Sequence, residues 1–340
     1  MALTQKDLTI SKPLSPVYVL FGKQSYLIQL IKDKIINQAL TQEEKEFNLS
    51  SYNMEETPIE AAIEDAETLP FIGEKRVVVI ENPYFLTSER TKSKVEHDLK
   101  QLGRYLEAPS PDAVLIFIAF YEKLDQRKKV VKQLTKIGTT YELSQLSDDL
   151  LFKLLENIAL EYDANYTKEG HEQLLALVGP QLSYLANEVK KFALYCGKDR
   201  PIDKHIVNEL GARSLENNVF SLVDMVMKQQ TANAYQLLND LLKQKEEPVK
   251  ILALIARQIR IVYQVSLYQN EGYTQKQMAA KLKLHPYAVK IAAGQAKTFK
   301  RQDLERALSQ CTEADYQMKK GSMEKTLVLE LLIHKIACHK

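Results

Sequence analysis

Gly22-Lys23-Gln24-Ser25 follows the apolar run Val17-Tyr18-Val19-Leu20-Phe21. A glycine–lysine pair behind a buried strand is where chemistry on a nucleoside triphosphate would begin: backbone N–H groups cradle the phosphates, the lysine neutralises them, and a following Ser or Thr holds magnesium. The spacing here does not meet that need. The loop requires a glycine five residues ahead of the Gly-Lys pair, and that position is Val17, inside the run. Gln24 stands where the magnesium ligand should follow the lysine. An acidic pair should close the next buried strand, but Val77-Val78-Val79-Ile80 ends in Glu81-Asn82, with a single carboxylate. ATP hydrolysis by this chain is not expected, and no cofactor is called for.

The remaining candidates for chemistry are thinner. His334, Cys338 and His339 fall within a predicted final helix at a spacing that could set two metal ligands on one face, yet no second pair exists to complete a site. Serines and histidines elsewhere lack a nucleophile elbow or a base beside them. Neither a catalytic residue nor a metal site is expected. The three cysteines, Cys196, Cys311 and Cys338, have no paired spacing, which argues against a disulfide framework and for a reducing compartment.

A different kind of chemistry is offered by Leu69-Pro70-Phe71-Ile72, a bulky apolar cluster just before the strand-like run from Arg76 to Glu81. Proline cannot donate to a β-ladder, so Pro70 marks a loop, and Gly73, Glu74, Lys75 and Arg76 keep that loop near the surface. The cluster is either a buried corner or an anchor for another protein. As an anchor, Leu69 and Phe71 would each contribute about 1.5 to 3 kcal/mol before the costs of binding.

The elements that must position these residues divide into two styles. Over 14–142, short continuous apolar runs (Val17 to Phe21, Val77 to Ile80, Ala113 to Ala119, a weaker Thr139 to Leu143, and Asn48 to Tyr52) alternate with helical periodicity, which predicts a parallel five-stranded α/β layer. Thr57-Pro58-Ile59-Glu60 reads as a helix start with a threonine cap, a proline at the first helical position and a glutamate three after the cap. Beyond Leu143 the pattern is helical throughout. Three amphipathic stretches, separated by Gly179-Pro180 and ended near Gly197, make a small three-helix unit. Longer helices follow: one from near Thr231, one opened by Pro248 and running to Tyr268, one after Pro286, and a last from Ser322 to Cys338. The expected division is 1–143, 144–212 and 213–340.

With 340 residues the chain is long enough for two or three cores. Its net charge of +2 is unevenly spread: 213–340 holds 20 Lys+Arg against 12 Asp+Glu, leaving an acidic remainder. That asymmetry is compatible with a nucleic-acid-facing C-terminal part, and also with a lysine-rich helical surface kept for solubility. No signal peptide and no run of bilayer-spanning length is read, so a cytoplasmic protein without membrane contact is expected.

In order and spacing together, several stretches resemble the delta subunit of the bacterial DNA polymerase III clamp loader, of the Gram-positive-like type. They are Val17 to Phe21 with Gly22-Lys23-Gln24-Ser25-Tyr26-Leu27-Ile28; Leu69-Pro70-Phe71 through Arg76 to Val79; Leu124-Asp125-x-Arg127-Lys128-Lys129; Leu185 to Phe192 with Glu188 and Lys190; and Met278 to Pro286. The resemblance runs over essentially the whole chain. It implies an AAA+-like α/β domain with a degenerate phosphate loop at Gly22, Lys23, Gln24 and Ser25, a small helical lid and an all-α collar. It also implies a hetero-pentamer with ATPase subunits (tau/gamma) and delta-prime, a sliding clamp (beta) that the N-terminal domain opens, and primer-template DNA. The family's clamp-binding tip lies just before the third strand and carries a leucine beside a phenylalanine. Phe71 matches the phenylalanine, and Leu69 and Ile72, on either side of the Pro70-Phe71 pair, are both candidates for the leucine.

Three further features admit other readings. Thr274 to Ala293 reads like a helix-turn-helix with Pro286 opening the second helix, as in a DNA-binding regulator. Pro286, Tyr287, Ala288 and Val289 offer few polar groups to base edges, so packing within the collar is the better account. Arg127, Lys128, Lys129, Lys132 and Lys136 form a cationic tract that could meet phosphates or a neighbouring subunit, and that a solvated helix face explains better. At Lys319-Lys320-Gly321 a glycine interrupts two helices and leaves two cations at the bend. By the resemblance, Lys319 and Lys320 are possible DNA contacts.

Overall fold

The computed structural model describes residues 10, 12–89, 93–143, 146–212 and 214–337. Two compact units divide within one helix, at Leu151 and Phe152. The first unit runs β1 (Val17–Phe21), α1 (Ser25–Ala39), α2 (Gln42–Asn48), β2 (Leu49–Asn53), α3 (Ile59–Glu67), β3 (Arg76–Glu81), α4 (Leu99–Glu107), β4 (Ala113–Ala119), α5 (Lys129–Ile137) and β5 (Thr139–Glu142).

The five strands form one parallel sheet in the order β2-β3-β4-β1-β5, so β1 sits between β4 and β5 although it comes first in the chain. Every residue of β1 and of β4 is buried. That is why both read as unbroken apolar runs: helices cover a parallel sheet on its faces, and no side of the strand meets water. Met54, Ile59, Ile63, Leu102, Leu106, Val131 and Leu134 from α3, α4, α5 and the end of β2 pack on Val17, Val19, Val78, Leu115 and Phe117.

Two local expectations give way to tertiary partners. Asn48 is the last residue of α2 rather than the first of a strand, and it is fully buried. Helix α3 begins one residue later than the cap pattern predicts, with Pro58 at the cap position and no side-chain cap bond. The Ile59 amide instead donates to His97 Nδ1 at 3.1 Å, and the Glu60 carboxylate accepts from the Asp98 amide at 3.0 Å. The Ile59 amide is thus served from 38 residues away, the Thr57 amide donates to the Asn53 carbonyl at 2.9 Å, and Glu60 serves a donor of the next helix rather than its own.

α6 (Asp148–Leu160) bridges the division, and α7 (Lys168–Val178), α8 (Leu182–Cys196) and a short α9 (Lys204–Leu210) follow. Only seven residues long, α9 is too brief to show a period and was not anticipated. Then come α10 (Leu215–Met227), α11 (Thr231–Lys243), α12 (Pro248–Asn270), α13 (Gln275–Leu282), α14 (Pro286–Ala296), α15 (Arg301–Lys320) and α16 (Lys325–Ala337). These seven helices share one apolar core, and α12 packs on α10, α14, α15 and α16. By length and composition alone α12 could cross a membrane, contrary to the expectation that no segment would pass that test. Its buried residues Ile251, Leu252, Ile255, Ile259, Val262 and Val265 instead make it the central helix of the bundle.

Candidate functional site

The turn from Gly22 to Ser25, the expected degenerate phosphate loop, lies at the carboxyl edge of the sheet, and two of its backbone amides are already engaged. Three residues, Gly22, Lys23 and Gln24, connect β1 to α1. The Gly22 amide donates to the Ala119 carbonyl at 3.2 Å and the Gln24 amide to the Leu143 carbonyl at 3.4 Å. Gly22 adopts φ +138°, and a Cβ built there would stand 2.1 Å from the Leu143 carbonyl oxygen. Only glycine fits so close an approach of two backbones. Lys23 leaves the turn to pair with Glu122 at 2.9 Å, an exposed bridge that holds its ammonium above the ordinary lysine pKa through that hydrogen bond. Ser25 is the first residue of α1. At the same edge of the sheet, with β4 between, Asn82 follows β3 in the left-handed region at φ +52°, with its amide on the Ile118 carbonyl and its side chain on Asn53.

At the opposite, amino edge the segment 68–75 leads from α3 into β3 and exposes its apolar side chains. Leu69 is 74 % exposed, Phe71 72 % and Ile72 36 %, while Pro70 is half-buried. The corner reading is thereby set aside: these side chains are on the surface. Their backbone is held firmly all the same. Asn48 accepts from the Phe71 amide at 2.8 Å and donates to the Ile72 carbonyl. Arg76 donates to the Leu69 carbonyl at 3.3 Å and pairs with Asp65 at 2.6 Å, and Ser50 donates to the same carboxylate. Burial, and then the charge of Asp65 beside it, pushes the Tyr52 phenol above its usual pKa. Gly73 turns the chain at φ +72° against the Glu44 side chain. The Phe71 ring stacks on that of Phe47, with centroids 5.3 Å apart. The tip thus sets exposed apolar side chains on a hydrogen-bonded backbone, an arrangement that suits protein docking better than catalysis.

Asn48, Asp65 and Phe47 were not singled out from the sequence. The available signal was Thr41-x-x-Glu44, a capping box that the structure forms in full. Recognising it would have started a helix at Gln42 and put Glu44, Phe47 and Asn48 on one face, three and four residues apart.

Comparison with known proteins agrees over both halves. Residues 18–144 match the family model described as DNA polymerase III, delta subunit, and residues 216–336 match DNA polymerase III delta subunit, C-terminal domain. The DNA polymerase III subunit delta of Bacillus subtilis (strain 168) is 41 % identical over 318 residues, covering 94 % of this chain and 92 % of its own. The chain belongs to the delta-subunit family of the DNA polymerase III clamp loader. A probable DNA polymerase III subunit delta of Aquifex aeolicus (strain VF5) is 23 % identical over 79 % of this chain and 75 % of its own. The solved structure of the Bacillus subtilis DNA clamp loader delta protein (YqeN) superposes with a TM-score of 0.71 at 40 % identity, covering 95 % of this chain and 96 % of that one. Membership in the family makes the chain a component of the polymerase III holoenzyme, and the parallel sheet followed by helices is the fold it shares with that solved structure.

The other sequence-predicted residues of this delta-family chain divide by what they touch. Arg127 is bound to Asp125 through its own amide and guanidinium and draws that carboxyl down to about 2, and Lys128 donates to the Phe85 and Thr87 carbonyls at 2.9 and 2.6 Å. Lys128 therefore ties the loop after β3 to the start of α5, whereas Arg127 bonds within its own loop. Lys319 pairs with Asp315 at 2.7 Å, and Lys320 lies 5.9 Å from the centre of the exposed Tyr316 ring, at the carbonyl end of α15, where cations complement the helix dipole. Gly321 then ends the helix in the left-handed region. In the helix-turn-helix-like pair, α14 buries Val289, Ala292, Ala293 and Gln295 in the bundle. Cys311 is buried there too, which pushes its thiol up to about 12 and leaves it unreactive. His334 lies on α16, whereas Cys338 and His339 fall outside the described residues. No cluster of three potential metal ligands occurs among the described residues.

Proposed function

We propose that this delta-family chain binds the sliding clamp (beta) through Leu69, Pro70, Phe71 and Ile72 and opens the ring for loading onto primed DNA during chromosomal replication, with ATP hydrolysed by partner subunits. The observation that carries the reading is the pairing of exposed Leu69 and Phe71 side chains with a backbone pinned by Asn48 and Arg76. A pinned backbone reduces the ordering cost of binding, so more of the burial of each side chain, about 1.5 to 3 kcal/mol, survives as affinity. Opening follows by differential binding. If the clamp surface fits the tip better when one ring interface is distorted, the difference in affinity offsets part of the cost of breaking that interface.

The chain itself hydrolyses no ATP in this reading, because the turn after β1 is too short to wrap a triphosphate and its Gly22 and Gln24 amides already serve the Ala119 and Leu143 carbonyls. Hydrolysis belongs to tau/gamma subunits in a hetero-pentamer completed by delta-prime. We assign 1–143 to the clamp-binding domain, 144–212 to a lid and 213–340 to the oligomerising collar, a division supported by the change of style near Leu143 and by the shared core of α10 to α16. Lys319 and Lys320, at the exposed end of α15, are the proposed contact with primer-template DNA. Their loss should lower affinity across sequences and flatten its salt dependence.

The deciding experiment is capture of a bacterial sliding clamp by the wild-type chain and by the Leu69→Ala/Phe71→Ala variant, each checked for folding by circular dichroism. Loss of about a hundredfold or more in affinity supports the reading. Equal affinity with retained folding overturns it.

A further inference from the structure

Helix α2 lies against the tip along one face. Glu44, Phe47 and Asn48 stand three and four residues apart, and each meets the loop in a different way. Glu44 packs on Gly73, where a Cβ would stand 1.8 Å from its Oε1, and the same carboxylate closes the capping box by accepting from the Thr41 amide at 2.7 Å. Asn48, with no exposed surface, bonds both the Phe71 amide and the Ile72 carbonyl. Phe47 lays its ring on Phe71 and yet remains 52 % exposed. A large aromatic ring on the surface, touching another that is 72 % exposed, continues the same apolar patch from the loop onto the helix.

We propose that α2 is the second half of the clamp-contacting surface. Phe47 adds a contact residue beside Phe71, and Asn48 is a positioning residue that fixes the direction in which Leu69 and Phe71 point. The inference rests on the clamp-binding reading above and extends it from a four-residue loop to a loop and a helix. Its physical basis is that two stacked rings bury more surface in a partner than one and hold each other's orientation beforehand, which removes rotamer freedom that binding would otherwise have to remove. Asn48 acts in the same sense on the backbone. With both side-chain groups engaged inside the protein, it contributes no surface to a partner, so any effect of its loss must pass through the loop.

The test titrates the full-length chain with a purified sliding clamp and compares Phe71→Ala, Phe47→Ala, Phe47→Leu, Asn48→Ala and the double variants Phe47→Ala/Phe71→Ala and Asn48→Ala/Phe71→Ala, with the melting temperature of each. Phe47→Ala, a surface change, should leave melting unchanged and weaken binding about five- to tenfold, with Phe47→Leu recovering part of the loss. Asn48→Ala should weaken binding about tenfold, and both losses should shrink when Phe71 is already alanine, because coupled groups are not additive. A merely structural role for Asn48 would lower melting and leave the affinity of the folded fraction untouched, which overturns its part. If Phe71→Ala weakens binding while Phe47→Ala does not, the α2 inference is overturned and the clamp-binding reading stands. If Phe71→Ala binds as wild type, the clamp-binding reading is what fails. Should Asn48→Ala not fold, the Phe47 variants still decide.

Discussion

The two edges of one sheet are built in opposite ways. Parallel α/β sheets ordinarily take their ligands at the carboxyl ends of the strands, where loops and helix N-termini gather. At that edge here, Gly22 and Gln24 donate to Ala119 and Leu143, Lys23 is paired with Glu122, and Asn82 is tied to Asn53. At the amino edge, the approach to β3 carries Leu69 and Phe71 largely exposed over a network of Asn48, Asp65 and Arg76. Hydrogen-bond donors turned inward make a wall. Apolar side chains turned outward over satisfied donors make a contact. If the tip docks on a clamp as proposed, that site and the turn after β1 need not compete for the same residues, because the strands separate the two by their own length.

Four changes would break or sharpen this contrast. The largest effect is expected from Gly22→Ala, which forces a Cβ into the Leu143 carbonyl at a backbone angle of +138°. It should destabilise the N-terminal unit by about 3 kcal/mol, read by chemical denaturation, and leave the clamp affinity of the folded fraction intact. Asp65→Ala attacks the other edge. It strips Arg76 and Ser50 of their carboxylate in a half-buried setting and should cost about 2 kcal/mol of stability. Unlike the first change, it should also weaken clamp binding, since Arg76 no longer holds the Leu69 carbonyl in place. An Asp65→Ala chain that binds the clamp as wild type does would show that the network serves folding alone.

A smaller effect comes from pH. His97, bonded to the Ile59 amide and packed between Tyr84 and Phe85, has its pKa lowered, chiefly by burial and against the smaller opposing pull of Glu60. A histidine that prefers to stay neutral in the fold stabilises fully above its unfolded value and loses that contribution as pH falls below about 6.5. Melting temperature should therefore drop between pH 7.5 and 5.5, and His97→Gln should flatten the drop. The smallest effect is expected at Lys23→Ala. Its bridge to Glu122 is exposed on both sides, so melting and clamp binding should both stay within error. Saturable ATP binding that disappears in this variant would reopen the carboxyl edge as a ligand site.

Much of this was legible in the sequence where one element dominates its surroundings. β1, β3 and β4 are covered on both faces and read as apolar runs because nothing else could be tolerated there. The missing glycine at Val17 could be counted directly. The tip was legible as a loop through Pro70. What could not be read is what holds it, because its partners come from other elements: Asn48 lies 23 residues from the Phe71 amide it accepts from. Phe47 is a lone aromatic among charged residues, and a seven-residue helix gives no period from which to assign it a face. The Thr57 cap failed for the same reason in reverse, since a histidine distant in sequence reached the Ile59 amide and the local threonine was not needed.

The placement of the tip also decides how the sheet would carry load. It joins the chain one short turn before Arg76, the first residue of a strand that lies between β2 and β4 and is in register with both. A pull on the tip directed along β3 would drag that strand past two parallel neighbours at once. Every rung of both ladders would then resist together in shear, instead of opening one after another as in a zipper. A clamp bound at Phe71, as proposed, would therefore pull on the sheet in shear across both ladders of β3.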